Sequence, residues 1–390
     1  MILRTAIAFF LIFMGCTTGN AWSAEDVLPP DLQAESREPA SDGGVPAAKN
    51  DKSSRTIDIA PIPIFFYTPE SSLAAGGSVI LTFRDPEDDP SSRRPDSLQI
   101  IGVYTLKHQT FVSLMPSFYY NDQKGKIRVN ANYAKWPTSF FGIGNDADIS
   151  PEEIDRREET YMRESWTIQP WLTHKIFSDF AVGVTFDLKQ SSISETESGG
   201  LIDQGLVEGD TGGLRSGMGP VLSWDTRNHI FYPTRGSWLK FWSWHYRNEF
   251  GSQFDYDLYA FDLRWYKTIA DRHTLAFQAL GVSTDGAVPF DELPTPQIRG
   301  LYENVFVERN MVTVKSEYRF PIKNRWSGAL FLEAGDVFHN AKDYDIKEMK
   351  YGGGGGIRWA ISQKEKINLR LDIGVSPYGV FPYVMFQEAF

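Results

Sequence analysis

The sequence predicts an all-β fold, a transmembrane antiparallel β-barrel of about 16 strands. Three observations carry that expectation. The chain opens with an export signal, and no later apolar run approaches the roughly 18 to 20 residues of a membrane helix. Aromatic residues make up 14% of the 390 residues, and barrel girdles consume aromatics. From Ile57 onward, apolar and polar residues alternate with a period of two.

At the N-terminus one cation, Arg4, precedes an apolar run from Ala6 to Met14, followed by small residues. That is the pattern of a secretory signal, with cleavage expected after Ala21 (Gly19 at minus three), so residues 1–21 are assigned to it. A lipid-anchored reading at Cys16 meets poor lipobox residues in Phe13 and Met14. Cys16 is the single cysteine, and cleavage at Ala21 leaves no thiol for a disulfide or a thiolate metal site. Residues 22–56 are polar and rich in Pro, Ala, Asp and Ser, which reads as a disordered periplasmic linker. The net charge of −11 argues against a nucleic-acid partner, because phosphate binding calls for a basic face.

Residues 57–390 read as the barrel. In KINLRLDIGV, Ile367, Leu369, Leu371, Ile373 and Val375 share one face, opposite Asn368, Arg370, Asp372 and Gly374. In VTVKSEYRF, Val312, Val314, Tyr318 and Phe320 oppose Thr313, Lys315, Glu317 and Arg319. Alternation alone fits a soluble sandwich as well as a barrel with a wet lumen. Segment length favours the barrel. Many of the 16 segments run about 9 to 15 residues, longer than the usual soluble strand of five or six. The segments fall near 61–67, 73–84, 98–107, 110–121, 126–135, 160–174, 178–191, 214–225, 236–249, 254–268, 272–283, 311–321, 326–337, 351–361, 366–375 and 380–390. Tight turns at 121–125, 322–325 and 362–365 alternate with longer connections at 136–159, 192–213, 284–310 and 338–350, as short periplasmic turns alternate with outer loops. A final strand ending on Phe390 is expected to display an aromatic at the inner interface. A charge at Leu371 should then cost stability, and one at Asn368 little.

The six histidines are scattered, without metal-ligand spacing, and no Gly-x-Ser-x-Gly elbow occurs. The glycine run Gly352–Gly356 lacks the Gly-Lys-Ser/Thr of a phosphate loop and reads as a strand that backbone passes closely. No catalytic residue, metal site or cofactor is expected.

Three stretches are more specific. LSWDTRNHIFYPTRGSWLKF joins two strands through Asp225, Arg227, Pro233 and Gly236. It resembles the Asp-x-Arg…Pro-x-x-Gly turn of the BamA/TamA outer-membrane insertases (bacterial surface antigen family). SEYRFPI, with Glu317, resembles their Glu-x-Arg-x-Pro strand. FLEAGDVF, with Phe331 and Gly335, resembles their Phe-x-Asp-x-Gly strand, with Glu333 in place of Asp. The resemblance implies that a sixth outer loop folds into the lumen behind an Arg-Gly-Tyr/Phe tip, here Ile298, Arg299, Gly300 and Tyr302, with Leu301 where an aromatic is usual. It also implies that Arg299 reaches Glu333, with Glu317 facing the same interior. In a wet lumen that screens charge, such a contact is worth about 1–2 kcal/mol.

The resemblance covers roughly residues 57–390 and implies a barrel that inserts or translocates polypeptides or lipids. The stretch ahead of the barrel is far shorter than a POTRA domain. Pro61 and Pro63 in the first strand, and Phe390 in the last, mark a seam that parts readily; equally, the prolines could simply mark where the strand starts. The expected partners are outer-membrane lipids and lipopolysaccharide, client polypeptides or lipids, and the general barrel-assembly machinery for its own insertion. The outer membrane of a Gram-negative bacterium is the expected location. A passive porin-like channel or a structural surface protein are the alternatives.

Overall fold

The structure is a computed structural model, and it describes residues 56–68, 71–84, 95–146, 148–229, 232–362 and 367–390. The expected signal peptide, and the linker up to residue 55, lie outside the described residues. Sixteen strands form one closed antiparallel barrel in which each pairs with the next and β1 closes on β16. They are β1 (Thr56–Thr68), β2 (Ser72–Arg84), β3 (Asp96–Thr105), β4 (Thr110–Tyr120), β5 (Gly125–Phe140), β6 (Glu159–Lys175), β7 (Phe180–Ser194) and β8 (Gly212–Asp225). The chain returns through β9 (Gly236–Tyr246), β10 (Tyr256–Ala270), β11 (His273–Gly286), β12 (Asn310–Lys323), β13 (Trp326–Phe338), β14 (Lys350–Ser362), β15 (Ile367–Ser376) and β16 (Gly379–Phe386). No helix among the described residues is long and apolar enough to cross a membrane. The strands do the crossing.

The alternation has the expected sense. On β15, Leu371, Ile373 and Val375 are exposed, whereas Asn368, Arg370 and Asp372 are buried. Closure turns the apolar set to lipid and the charges inward, which removes the sandwich alternative. Asn368 departs from expectation: its side chain donates to Glu388 at 2.8 Å, so a charge there is not neutral. Leu371→Arg is expected to cost about 2–4 kcal/mol near the midplane, and Leu371→Ala far less. The folded fraction in lipid-supported denaturant titrations reads both. The closed ladder should also resist detergent. Unheated protein should run ahead of the boiled chain on a gel, and identical mobility would count against the barrel.

Most strand ends shift by one to three residues from the sequence reading, and three shift further. β1 begins at Thr56, inside the expected linker, and pairs with β2 along its whole length, so Pro61 and Pro63 lie inside the strand and do not mark its start. β5 continues through Pro137 to Phe140. β16 stops at Phe386: Gln387 takes φ 63°, and residues 387–390 turn into the lumen. Phe390 packs there on Tyr266 and Ala276 and is not at the inner interface. The acidic outer stretch after Ser150 forms α1 (Pro151–Arg157), capped by the Ser150 side chain.

Candidate functional site

The sixth outer loop, residues 287–309, descends into the barrel. Gly335 on β13 leaves room for its approach, since a Cβ there would sit 3.1 Å from Pro296. At the tip, the Arg299 backbone N–H donates to Glu333 at 2.6 Å and its Nε to the other Glu333 oxygen at 2.8 Å. Its Nη1 reaches Asp372 at 2.6 Å and Glu317 at 3.2 Å. The guanidinium lies 3.4 Å from the centre of the Phe331 ring. A planar fork that meets three carboxylates and an aromatic face is a task for Arg, not Lys.

Gly300 makes the turn possible. Its φ is 103°, its N–H donates to the Tyr383 hydroxyl at 3.0 Å, and its carbonyl accepts from Ser376. The glycines beneath complete the fit. A Cβ on Gly352 would come within 2.6 Å of the Arg299 carbonyl, and one on Gly374 within 2.7 Å of Arg299 backbone. Gly352→Val is therefore expected to expel the tip while the sixteen-strand ladder persists, read as protease cleavage between Leu293 and Val305 in a chain that stays heat-modifiable. Ile298 and Leu301 are buried with Phe306 and Val305. Tyr302 is instead exposed, edge-on to the inward-facing Phe381 of β16 at 4.5 Å.

The expected partners Glu333 and Glu317 are thus both in place, and sequence reasoning missed the rest. Arg358 bonds Asp372 and lies 3.3 Å from Glu317, Arg370 is 3.3 Å from Asp372, and Arg319 is 2.7 Å from Glu317. Glu388, from the inturned tail, meets Arg358 at 3.2 Å and Arg319 at 3.6 Å. Four guanidiniums face four carboxylates, with Lys315 of β12 registered opposite Glu333. The cluster is dry: Arg299 is 8% exposed, Glu333 2% and Asp372 0%. The screening expected of a wet lumen is absent.

A second anchor holds the start of the loop. Asp291 bonds Arg215, and Glu292 bonds Lys189, across from β8 and β7. Phe290 wedges between Phe140 and Tyr161. Burial pushes the Glu292 carboxyl up despite Lys189 and Arg215; at Asp291 burial is outweighed by Arg215, which holds it below the usual carboxylate range. An acid pair in the loop and inward cations on two strands were visible in the sequence, but nothing there matched them.

The β8–β9 connection is a scaffold for the same cluster. Asp225 takes Arg227 bidentately at 2.8 and 2.9 Å, and Arg227 lies 4.9 Å over Trp238. Gly236 has φ 96°, and a Cβ there would come within 2.2 Å of the Thr226 carbonyl. The turn rises far enough for the Pro233 carbonyl to accept from Arg319 at 3.5 Å, while the Phe390 carbonyl accepts from the same Arg at 2.9 Å.

The seam is the other feature. Where β1 meets β2 over thirteen registered pairs, Thr56↔Arg84 to Thr68↔Ser72, it meets β16 in one, Tyr67↔Val384. The inward turn of residues 387–390 removes the backbone that would have faced the lower part of β1.

The Omp85 superfamily domain matches residues 109–376. Among solved structures the chain is similar to BamA from Haemophilus ducreyi lacking POTRA domains 1–3, with a TM-score of 0.60 and 12% identity over 87% of this chain and 71% of that one. It is similar also to CdiB from Acinetobacter baumannii (TM-score 0.53, 11% identity, 86% of this chain and 66% of that one). CdiB from Escherichia coli matches at TM-score 0.56 and 11% identity, over 87% and 63%. At such identities these likenesses speak for the fold alone. The domain match spans well over half of the sequence, and the chain belongs to the Omp85 superfamily.

Proposed function

We propose that this barrel assists the insertion or translocation of polypeptides or lipids at the bacterial outer membrane by parting between β1 and β16. The observation that carries the proposal is the single registered pair at that seam. A ladder of antiparallel hydrogen bonds holds every other strand boundary, so the least work separates this one. The buried sixth loop weighs against a passive porin, because its tip and both anchors fill the lumen that solute would cross. Export by the N-terminal signal, lipopolysaccharide and phospholipid around the barrel, and assembly by the general machinery belong to the same proposal.

Tyr67→Cys with Val384→Cys tests it. The two Cα atoms are direct partners, within the reach of a disulfide. Reconstituted vesicles are assayed for folding of an added unfolded outer-membrane barrel and for transfer of a fluorescent lipid between leaflets. The wild type should accelerate one or both, the oxidised pair should abolish the effect, and reductant should restore it. An oxidised pair as active as wild type would overturn seam opening.

A further inference from the structure

We propose that what the seam admits is the hydrocarbon chain of an amphipathic lipid, not a polypeptide strand; this rests on the seam-opening reading above. Two independent features point to it, the chemistry of the seam's edges and the chemistry of the wall behind them.

In a strand, backbone groups of alternate residues point to opposite neighbours. Just past the end of β16, inward-facing Gln387 donates its N–H to Asn368 of β15; continuing that alternation back into the strand, the outward-facing residues of β16 turn their backbone groups to β1. On β2, the carbonyl of outward-facing Leu73 accepts from Leu106, just beyond β3. β1 runs the opposite way, so its outward-facing residues turn toward β16. Ile57, Ile59, Pro61, Pro63, Phe65 and Tyr67 are those residues, and Pro382 holds the same orientation on β16. Proline has no N–H. Each lip of the seam therefore has gaps in its donors, β1 at Pro61 and Pro63 and β16 at Pro382, and an interrupted edge is how sheets discourage strand pairing. The prolines also explain why β1 can pair with β2 without a break: their nitrogens face away from it.

Behind the seam, the lumen wall carries an apolar patch, bordered by Gln99, Ser113 and Arg128, whose guanidinium reaches Met115 at 3.5 Å. Ile64 and Phe66 on β1 pack inward with Ile101, Val103, Phe111 and Met115 of β3 and β4, each 5% exposed or less. On the other lip, Phe381, Tyr383 and Met385 face inward from β16. A barrel lumen is ordinarily polar, and the wall beyond is: Asp262, Arg264, Glu317 and Glu333 line it, while Arg370 and Asp372 of β15 border the β16 lip, Arg370 3.1 Å from Met385. When β1 swings away, Ile64 and Phe66 leave that cluster, and the surface uncovered is apolar and continuous with the lipid-facing side. Water gains nothing there, and a peptide backbone meets an edge broken by Pro61, Pro63 and Pro382. An acyl chain meets apolar surface on both sides, with its headgroup left at the membrane surface.

The experiment places p-benzoylphenylalanine at Phe111, and in a second chain at Phe66, in vesicles of phosphatidylethanolamine and lipopolysaccharide supplied with an unfolded outer-membrane barrel. Only heat-modifiable chains are scored, and the same group at outward-facing Leu114 serves as the lipid-labelled control. Mass spectrometry should find acyl-chain adducts at position 111 or 66, reduced at least tenfold in the oxidised Tyr67→Cys, Val384→Cys background and restored by reductant. Polypeptide adducts without lipid would overturn the lipid assignment and leave seam opening standing. Labelling at 114 with no adduct at either inward position would also overturn it. Lipid adducts undiminished in the oxidised pair would overturn the seam as the route, and this inference with it.

Discussion

Arg299→Ala is expected to release the tip of the sixth loop at a cost of about 3–5 kcal/mol to its docking, the range for removing one partner from a buried ion pair. The burial of the cluster sets that range, above the 1–2 kcal/mol appropriate to a screened lumen. Glu317 and Asp372 keep Arg319, Arg358 and Arg370 beside them. Glu333 is the carboxylate that loses its bonded guanidinium, keeping the backbone N–H of residue 299 as its hydrogen bond and Lys315 opposite it on β12. Glu333→Ala should loosen the same tip less, since Arg299 retains Asp372 and Glu317. The double variant should fall short of the sum of the two, because the pair shares one interaction. Since each 1.4 kcal/mol is about tenfold, limited proteolysis between Leu293 and Val305 should accelerate by roughly a hundredfold or more in Arg299→Ala. Strict additivity would show that Arg299 and Glu333 are not coupled.

Arg215→Ala should have an effect of similar size at the other end of the loop. Arg215 is fully buried, bonds Asp291, and lies 3.7 Å from Glu292. Its removal leaves Asp291 buried without a bonded cation, again about 3–5 kcal/mol. Cleavage is then expected nearer Gly286–Leu293, with the Arg299 tip still protected. The two anchors share no ion-pair partner, so the combined Arg215→Ala, Arg299→Ala chain should show close to the sum of both losses. A combined chain no looser than either single variant would mean that the loop detaches as one unit.

Much of this architecture was legible in the sequence because the barrel writes itself as a period of two. The phase of β15 followed from Leu369, Leu371 and Ile373 alone, and each of the sixteen strands overlaps a segment that alternation marked, though β1, β5 and β16 each have one end elsewhere. Arg299 with Glu333 and Glu317 came from the resemblance, and Gly352 from the improbability of five glycines without a structural demand. Asp372 and Arg358 were legible as inward-facing but not as partners. Which inward charges meet depends on the stagger between strands and on how deep the loop descends, and neither is a local property. β1 was read too short because proline usually breaks a strand; it does not when its nitrogen faces an open seam. Glu388 breaks the apolar alternation of a final strand that would run to Phe390, and it makes sense only once residues 387–390 leave that strand for Arg319 and Arg358.

The most direct measurement of the central claim, a lumen sealed by the sixth loop beside a seam that can part, is single-channel conductance in planar bilayers. The intact chain should be closed for most of the record with brief openings, Arg299→Ala should open far more often, and deletion of residues 287–309 should leave a steady pore. A steady open channel in the intact chain, unchanged by Arg299→Ala, would contradict the seal and favour a passive porin.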